Sequence, residues 1–232
     1  GVVAVARETH TAERRAKVRA DRVGSPSALR ALGSRVYLGN ALAFAFAFAT
    51  MMAYISASPF VYQVMIGFSE VQYGIAFGTN AIGLAAVSAV SARLVATHPV
   101  RRLAGTGLAL CLAAVIAIVV IVASGAPVWL LVFPLWVAVA SLGLVFGNAT
   151  ALALGGVAGV AGSASAVLGA LQFGLGALVS PLVGIGGEHT AAPLAAVMLV
   201  AVSIACVAFM LGRDRRRPDA CSGSDAPHCR GD

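Results

Sequence analysis

The chain has 232 residues, of which 59% are hydrophobic and only 11% charged, and its net charge is +7. Soluble domains carry roughly 25% charged residues, whereas Leu103 to Gly187 here contains no Lys, Arg, Asp or Glu. Charge in hydrocarbon is strongly unfavourable, so the composition excludes a water-soluble fold and implies an all-α membrane protein that crosses the bilayer several times.

Residues 1–36 read as two pieces. Gly1 to Ala6 look like the last turns of a helix cut off upstream, and on that reading the chain is expected to be a fragment. A basic linker follows, with Arg7, Arg14, Arg15, Lys17, Arg19, Arg22, Arg30 and Arg35. Within it, Ser25 as N-cap and Pro26 at the first helical position predict a short helix. Leu29, Leu32 and Val36 share one face of it, which suits the membrane surface.

Six apolar spans are predicted next, each near the roughly 20 residues that cross a bilayer at about 1.5 Å rise. Helix α1 is predicted over 37–58, stopped by Pro59. Helix α2 covers 70–95 and opens with Ser69 and Gln72 in capping-box spacing. Helix α3 covers 103–124, before the turn at Gly125 and Pro127. Helix α4 covers 128–154, with Pro134 as a kink. Gly155, Gly156, Gly159 and Gly162 form an uncharged connection. Helices α5 and α6 are predicted over 163–183 and 191–211. Residues 37–212 are thus a six-helix transmembrane bundle, and 213–232 a basic, polar tail.

Lys and Arg set the orientation. The linker, the α2–α3 loop (Arg93, Arg101, Arg102) and the tail (Arg213, Arg215, Arg216, Arg217) are basic and read as cytoplasmic. The α1–α2, α3–α4 and α5–α6 loops carry only Glu70, Glu188 and His189 and read as external. Basic residues so placed face anionic lipid, which argues against nucleic acid as a partner.

Helices α3 and α6 are apolar nearly all round and suit a lipid-facing position. The other four carry polar side chains: Thr50 and Tyr54, Asn80, Ser141 and Asn148, Ser165 and Gln172. An amide in hydrocarbon needs a partner or a wet cavity. Any single one of these reads first as a hydrogen bond between helices. Taken together they point to a shared cavity lined by α1, α2, α4 and α5, with Tyr54, Asn80, Asn148, Ser165 and Gln172 as substrate-binding candidates. Gly162, Ala166, Ala170 and Gly174, and the pair Gly143 and Gly147, are expected to let backbones approach closely. Phe44 and Phe48 share a face and read as packing.

Other chemistries find little support. Cys111 and Cys206 lie in spans and Cys221 and Cys229 in the tail, and even with His228 their spacing matches no zinc module. No metal site and no cofactor are expected. The terminal Arg230, Gly231 and Asp232 fall on the cytoplasmic side and read as chance. An intramembrane serine hydrolase needs Ser and His in contact, but His98 and His189 sit in loops on opposite sides, so the chain is not read as an enzyme.

Several segments in chain order carry a family resemblance. Ala53 to Gln63 (AYISASPFVYQ), Gly67 to Ser69 and Phe77 to Gly83 (FGTNAIG) resemble the seventh and eighth helices of the Bcr/CflA drug-efflux group of the major facilitator superfamily. Ala92 to Leu94 and Arg101 to Leu103 resemble the loop that follows. Gly162 to Phe173 (GSASAVLGALQF) with Ser180 to Leu182 resemble its eleventh helix, and Arg7 to Thr9 with Glu13 to Arg15 the end of its sixth helix and the start of its central loop. The match is collinear over residues 7–211. It implies the C-terminal half of a twelve-helix multidrug exporter in the bacterial inner membrane. Such a protein exchanges amphiphilic drugs for protons around a cavity lined by the seventh, eighth, tenth and eleventh helices. The implied partners are a drug-like small molecule, protons, the lipid bilayer and a missing N-terminal six-helix half. Two features depart from the pattern. No span holds a mid-membrane acid, so the coupling acid is expected in the other half. The α2–α3 loop also lacks the Asp of the superfamily's charged loop motif. The alternative is a self-contained six-helix protein, either a homodimeric half-transporter or an assembly factor that does not transport.

Overall fold

A computed structural model describes residues 32–157, 161–185, 187 and 189–213. The surface helix expected before residue 34, most of the tail and Glu188 lie outside the described residues. Six helices are long and apolar enough to cross a membrane. They are α1 (Arg35–Pro59), α2 (Glu70–Leu94), α3 (Val100–Ala123), α4 (Val132–Gly155), α5 (Ala161–Gly184) and α6 (Ala192–Leu211), and no strand occurs among the described residues. The all-α, six-span class read from the sequence is what the structure shows.

Both prolines behave differently from expectation. The α-helical part of α1 ends at Pro59, but the span does not stop there. A proline lacks the N–H that would bond the carbonyl four residues back, here that of Ile55. The Ser58 hydroxyl donates to that carbonyl instead, at 3.0 Å. The chain then runs on as a π-helix, Phe60–Met65, so the first span is 31 residues long. Ile66 N–H bonds the Val61 carbonyl at 3.1 Å, and Gly67, at φ 86, ends the segment. Pro134 is no kink either. A 3-10 turn over Val128–Leu131 delays the start of α4, so Pro134 sits in the first turn, where an N–H has no intrahelical partner to lose.

The remaining ends follow local chemistry. Ser69 and Gln72 form the full capping box: Gln72 N–H donates to Ser69 Oγ at 3.3 Å and Ser69 N–H to Gln72 Oε1 at 2.9 Å. Helix α3 starts three residues earlier than expected because Pro99 holds the extended position before it. That start puts Arg101 in its first turn. The Arg101 guanidinium donates to the carbonyls of Phe209 (2.6 Å) and Gly212 (3.2 Å) and lies 4.4 Å above the Phe209 ring. It neutralises the negative end of α6.

The bundle is built on two central helices. Helix α1 packs on α4, α5 and α6, while α4 packs on α1, α2 and α3. Helices α3 and α6 touch each other and close one side. Each three-helix repeat therefore gives its first helix to the other repeat's second and third. Helix α1 is the most enclosed of the six, and α2 and α5 are the least. Gly143 lets α2 lie directly on α4: a Cβ there would fall 2.6 Å from the Leu84 carbonyl oxygen and 2.8 Å from Ser88 N. The small residues on α5 have a different fate from the one expected. Gly162, Ala166, Ala170 and Gly174 are all exposed, and nothing lies within 4 Å of a Cβ built at Gly162, Gly174 or Gly147.

Candidate functional site

One end of the bundle carries Arg35, Arg93, Arg101, Arg102 and Arg213, and is called here the basic end. The other, the far end, carries the α1–α2, α3–α4 and α5–α6 connections. Toward the far end three polar side chains converge. Tyr54 comes from α1, Tyr62 from the π-helix and Asn80 from α2, and all three are buried. Their hydroxyls and amide stand close enough to influence one another. Asn80 Nδ2 donates to its own helix at Ala76 O, 2.8 Å away. Tyr54 Oη, Tyr62 Oη and Asn80 Oδ1 are sealed from solvent and, among the described residues, make no hydrogen bond of acceptable geometry. An unsatisfied buried group costs about 1–3 kcal/mol, so three in one place are a marked local cost. Two hydroxyls and a carbonyl can both donate to and accept from a guest.

Aromatic rings wall the cluster. Tyr54 stacks on Phe77, with centroids 6.1 Å apart and planes 10° apart. Phe77 meets Tyr73 at 5.9 Å, Tyr73 meets Tyr62 at 6.1 Å, and Tyr62 stacks on Phe68 at 5.9 Å. Tyr73 Oη lies 3.1 Å from Ser58 Oγ. Because the Ser58 hydrogen goes to Ile55 O, Tyr73 is the donor of that pair. The proline break and the aromatic wall are therefore tied together.

The other predicted site residues lie elsewhere. Asn148, in the second half of α4, donates to Ser91 Oγ at 2.8 Å and to Leu144 O at 2.7 Å, which pins α4 to α2. Ser165 is exposed near the start of α5 and donates to Ala161 O at 2.8 Å. Gln172 is half-buried on α5, beside Phe173. A second aromatic row joins Phe44, Phe146, Phe48 and Phe173, at successive spacings of 5.7, 6.2 and 5.7 Å, and links α1, α4 and α5. The structure thus brings Tyr54 and Asn80 together and holds Asn148, Ser165 and Gln172 apart from them. Thr50 and Ser141 bond carbonyls of their own helices, at 3.0 and 2.7 Å.

Sequence reasoning missed Tyr62, Tyr73 and Phe77. Tyr73, Phe77 and Asn80 lie at i, i+4 and i+7, one helical face, so that part was legible. Tyr62 was hidden by reading Pro59 as a stop.

No protein-family model matches the chain, and no solved structure matches it. It is 33% identical over 178 residues to the "Uncharacterized MFS-type transporter YdgK" of Bacillus subtilis (strain 168), an alignment covering 77% of this chain and 44% of that protein. The chain therefore spans less than half the length of the relative it matches. With its six membrane-spanning helices, this makes it a relative of MFS-type transporters, those of the major facilitator superfamily, and comparable in size to one half of such a protein.

Proposed function

We propose that the chain acts as one six-helix half of a proton-coupled exporter of amphiphilic, drug-like molecules, of the Bcr/CflA kind. In this reading it resides in a bacterial inner membrane with its basic end in the cytoplasm. The observation that carries the proposal is the unsatisfied cluster of Tyr54, Tyr62 and Asn80 inside an aromatic wall. Apolar burial against the rings supplies affinity, and the three polar atoms orient the guest. Gln172, with Phe48 and Phe173, continues the lining toward the basic end, and Asn148 and Ser165 border the same path. The two halves rock about this region to expose it alternately. Among the described residues the spans hold no acid apart from Glu70, exposed at the first turn of α2, so proton coupling is assigned to the partner half.

The test uses the full-length protein in proteoliposomes with an imposed pH gradient and Hoechst 33342 as probe. Gradient-driven dye movement is expected, with Tyr54→Phe, Tyr62→Phe and Asn80→Ala each lowering it about tenfold. Movement that survives collapse of the gradient would remove the antiport assignment. Movement unchanged in all three variants would remove the site.

A further inference from the structure

On the face of α2 turned toward α4 lies a cavity of about 600 Å³. It opens where the 3-10 turn leads into α4. Its walls include Trp129, Phe133, Trp136, Ala76 and Thr79, with Asn80 at one edge. Its volume falls in the roughly 300–1,000 Å³ range of small-molecule sites.

The wall chemistry restricts what can enter. Trp136 Nε1–H already donates to Thr79 O at 3.2 Å, Thr79 Oγ to Ile75 O at 2.8 Å, and Asn80 Nδ2 to Ala76 O at 2.8 Å. Trp136, Thr79 and Asn80 thus each place a donor within the protein, and no charged side chain lines the cavity. An anionic guest would lose its hydration with no cationic side chain to replace it. The Phe133 and Trp136 rings lie nearly parallel, with centroids 6.5 Å apart and planes 21° apart. Such faces stack on a flat ring, whereas a flexible acyl chain gains no stacking. Trp129 is 64% and Phe133 72% exposed, so the mouth is open without any movement of the bundle.

We propose that this cavity is a second ligand site, for a flat aromatic molecule without negative charge, dissolved in the membrane. It adjoins the Tyr54, Tyr62 and Asn80 cluster, with Asn80 bordering both, and needs no transport to be occupied.

Both tryptophans of the chain line the cavity, so their fluorescence reports on it. The full-length protein in lipid nanodiscs is titrated with pyrene, and a variant carrying both Trp129→Phe and Trp136→Phe serves as the blank. Saturable quenching is expected. Phe133→Ala, at an exposed position outside the core, should weaken it at least tenfold, and Ala76→Phe, which fills the space, should abolish it. A pyrene carrying a sulfonate group should bind at least tenfold more weakly than pyrene itself. Quenching that never saturates and is equal in Phe133→Ala would mean that pyrene dissolves only in the bilayer, which overturns the proposal. Quenching of the same tryptophans by brominated lipid, unrelieved by excess pyrene, would assign the cavity to an acyl chain and overturn it equally.

Discussion

The contact between α2 and α4 gives the sharpest prediction, through Gly143→Ala. Helix α2 leans chiefly on α4, so a disturbance there has little other packing to absorb it. The added Cβ would meet the Leu84 carbonyl at 2.6 Å, and ordinary contact begins near 3.4 Å, so α2 must retreat by about 0.8 Å. The obstacle is backbone, and no rotamer change relieves it. Overpacking costs typically about 1–3 kcal/mol, and a backbone clash belongs at the upper end. The retreat also loosens the Asn148 to Ser91 bond at 2.8 Å. Alanine returns about 1 kcal/mol of helix propensity, which leaves a net loss of about 2 kcal/mol. Gly147→Ala has no neighbour to meet and keeps only the propensity gain, so the two variants should differ by about 3 kcal/mol. For a chain of this size that corresponds to a fall of roughly 4–8 °C for Gly143→Ala. Thermal unfolding of the full-length protein in mild detergent, followed by dye labelling of the buried Cys111 thiol, measures the difference. Equal melting temperatures for the two glycine variants would refute the reasoning.

Other contacts give further tests. Arg101→Gln removes charge-assisted bonds to the end of α6 and should cost about 1–2 kcal/mol. Hydrogen exchange should quicken in the last turn of α6, while Arg102→Gln, exposed beside it, leaves exchange unchanged. Ser58→Ala strips the Ile55 carbonyl and Tyr73 Oη of their partner and should cost about 1–2 kcal/mol. The same variant with Pro59→Ala should recover about half of that loss, because the alanine N–H can then bond Ile55 O while Tyr73 Oη stays without its partner. A double-mutant cycle on Ser91→Ala and Asn148→Leu should return a coupling of about 0.6–1.5 kcal/mol. Zero coupling would mean that Asn148 does not hold α2.

The six spans were legible because hydrocarbon imposes one rule, near-total loss of charge over about 20 residues, and that rule is visible residue by residue. The capping box at Ser69 was legible for a similar reason, since both partners lie three residues apart. The two prolines were misread because their effect depends on neighbours. Ser58 supplies the hydrogen that Pro59 lacks, and a 3-10 turn moves Pro134 into a first turn. Asn148 showed that an amide sits in the membrane, but its partner Ser91 is 57 residues away, and no local pattern connects them. The α5 stripe of Gly162, Ala166, Ala170 and Gly174 announced close packing, yet nothing among the described residues lies on it. Spacing reveals a face and does not name what covers it.

The exchange of helices between repeats dictates an order of assembly. Every major partner of α1 is made after it: α4, then α5, then α6. Tyr37 Oη donates to the Ala164 carbonyl 127 residues downstream, at 2.7 Å. Close to it in sequence, Gly39 packs against Gly212, past the end of α6. During synthesis α1 therefore enters the membrane before the described helices that later cover Tyr37, Asn40 and Tyr54, and it is also less apolar than α3. Enclosure of α1 waits for α6. A ribosome that stalls before α6 leaves the side of α1 that carries Asn40 without the Gly212 carbonyl that meets it, a mark by which membrane quality control can tell an unfinished bundle from a finished one.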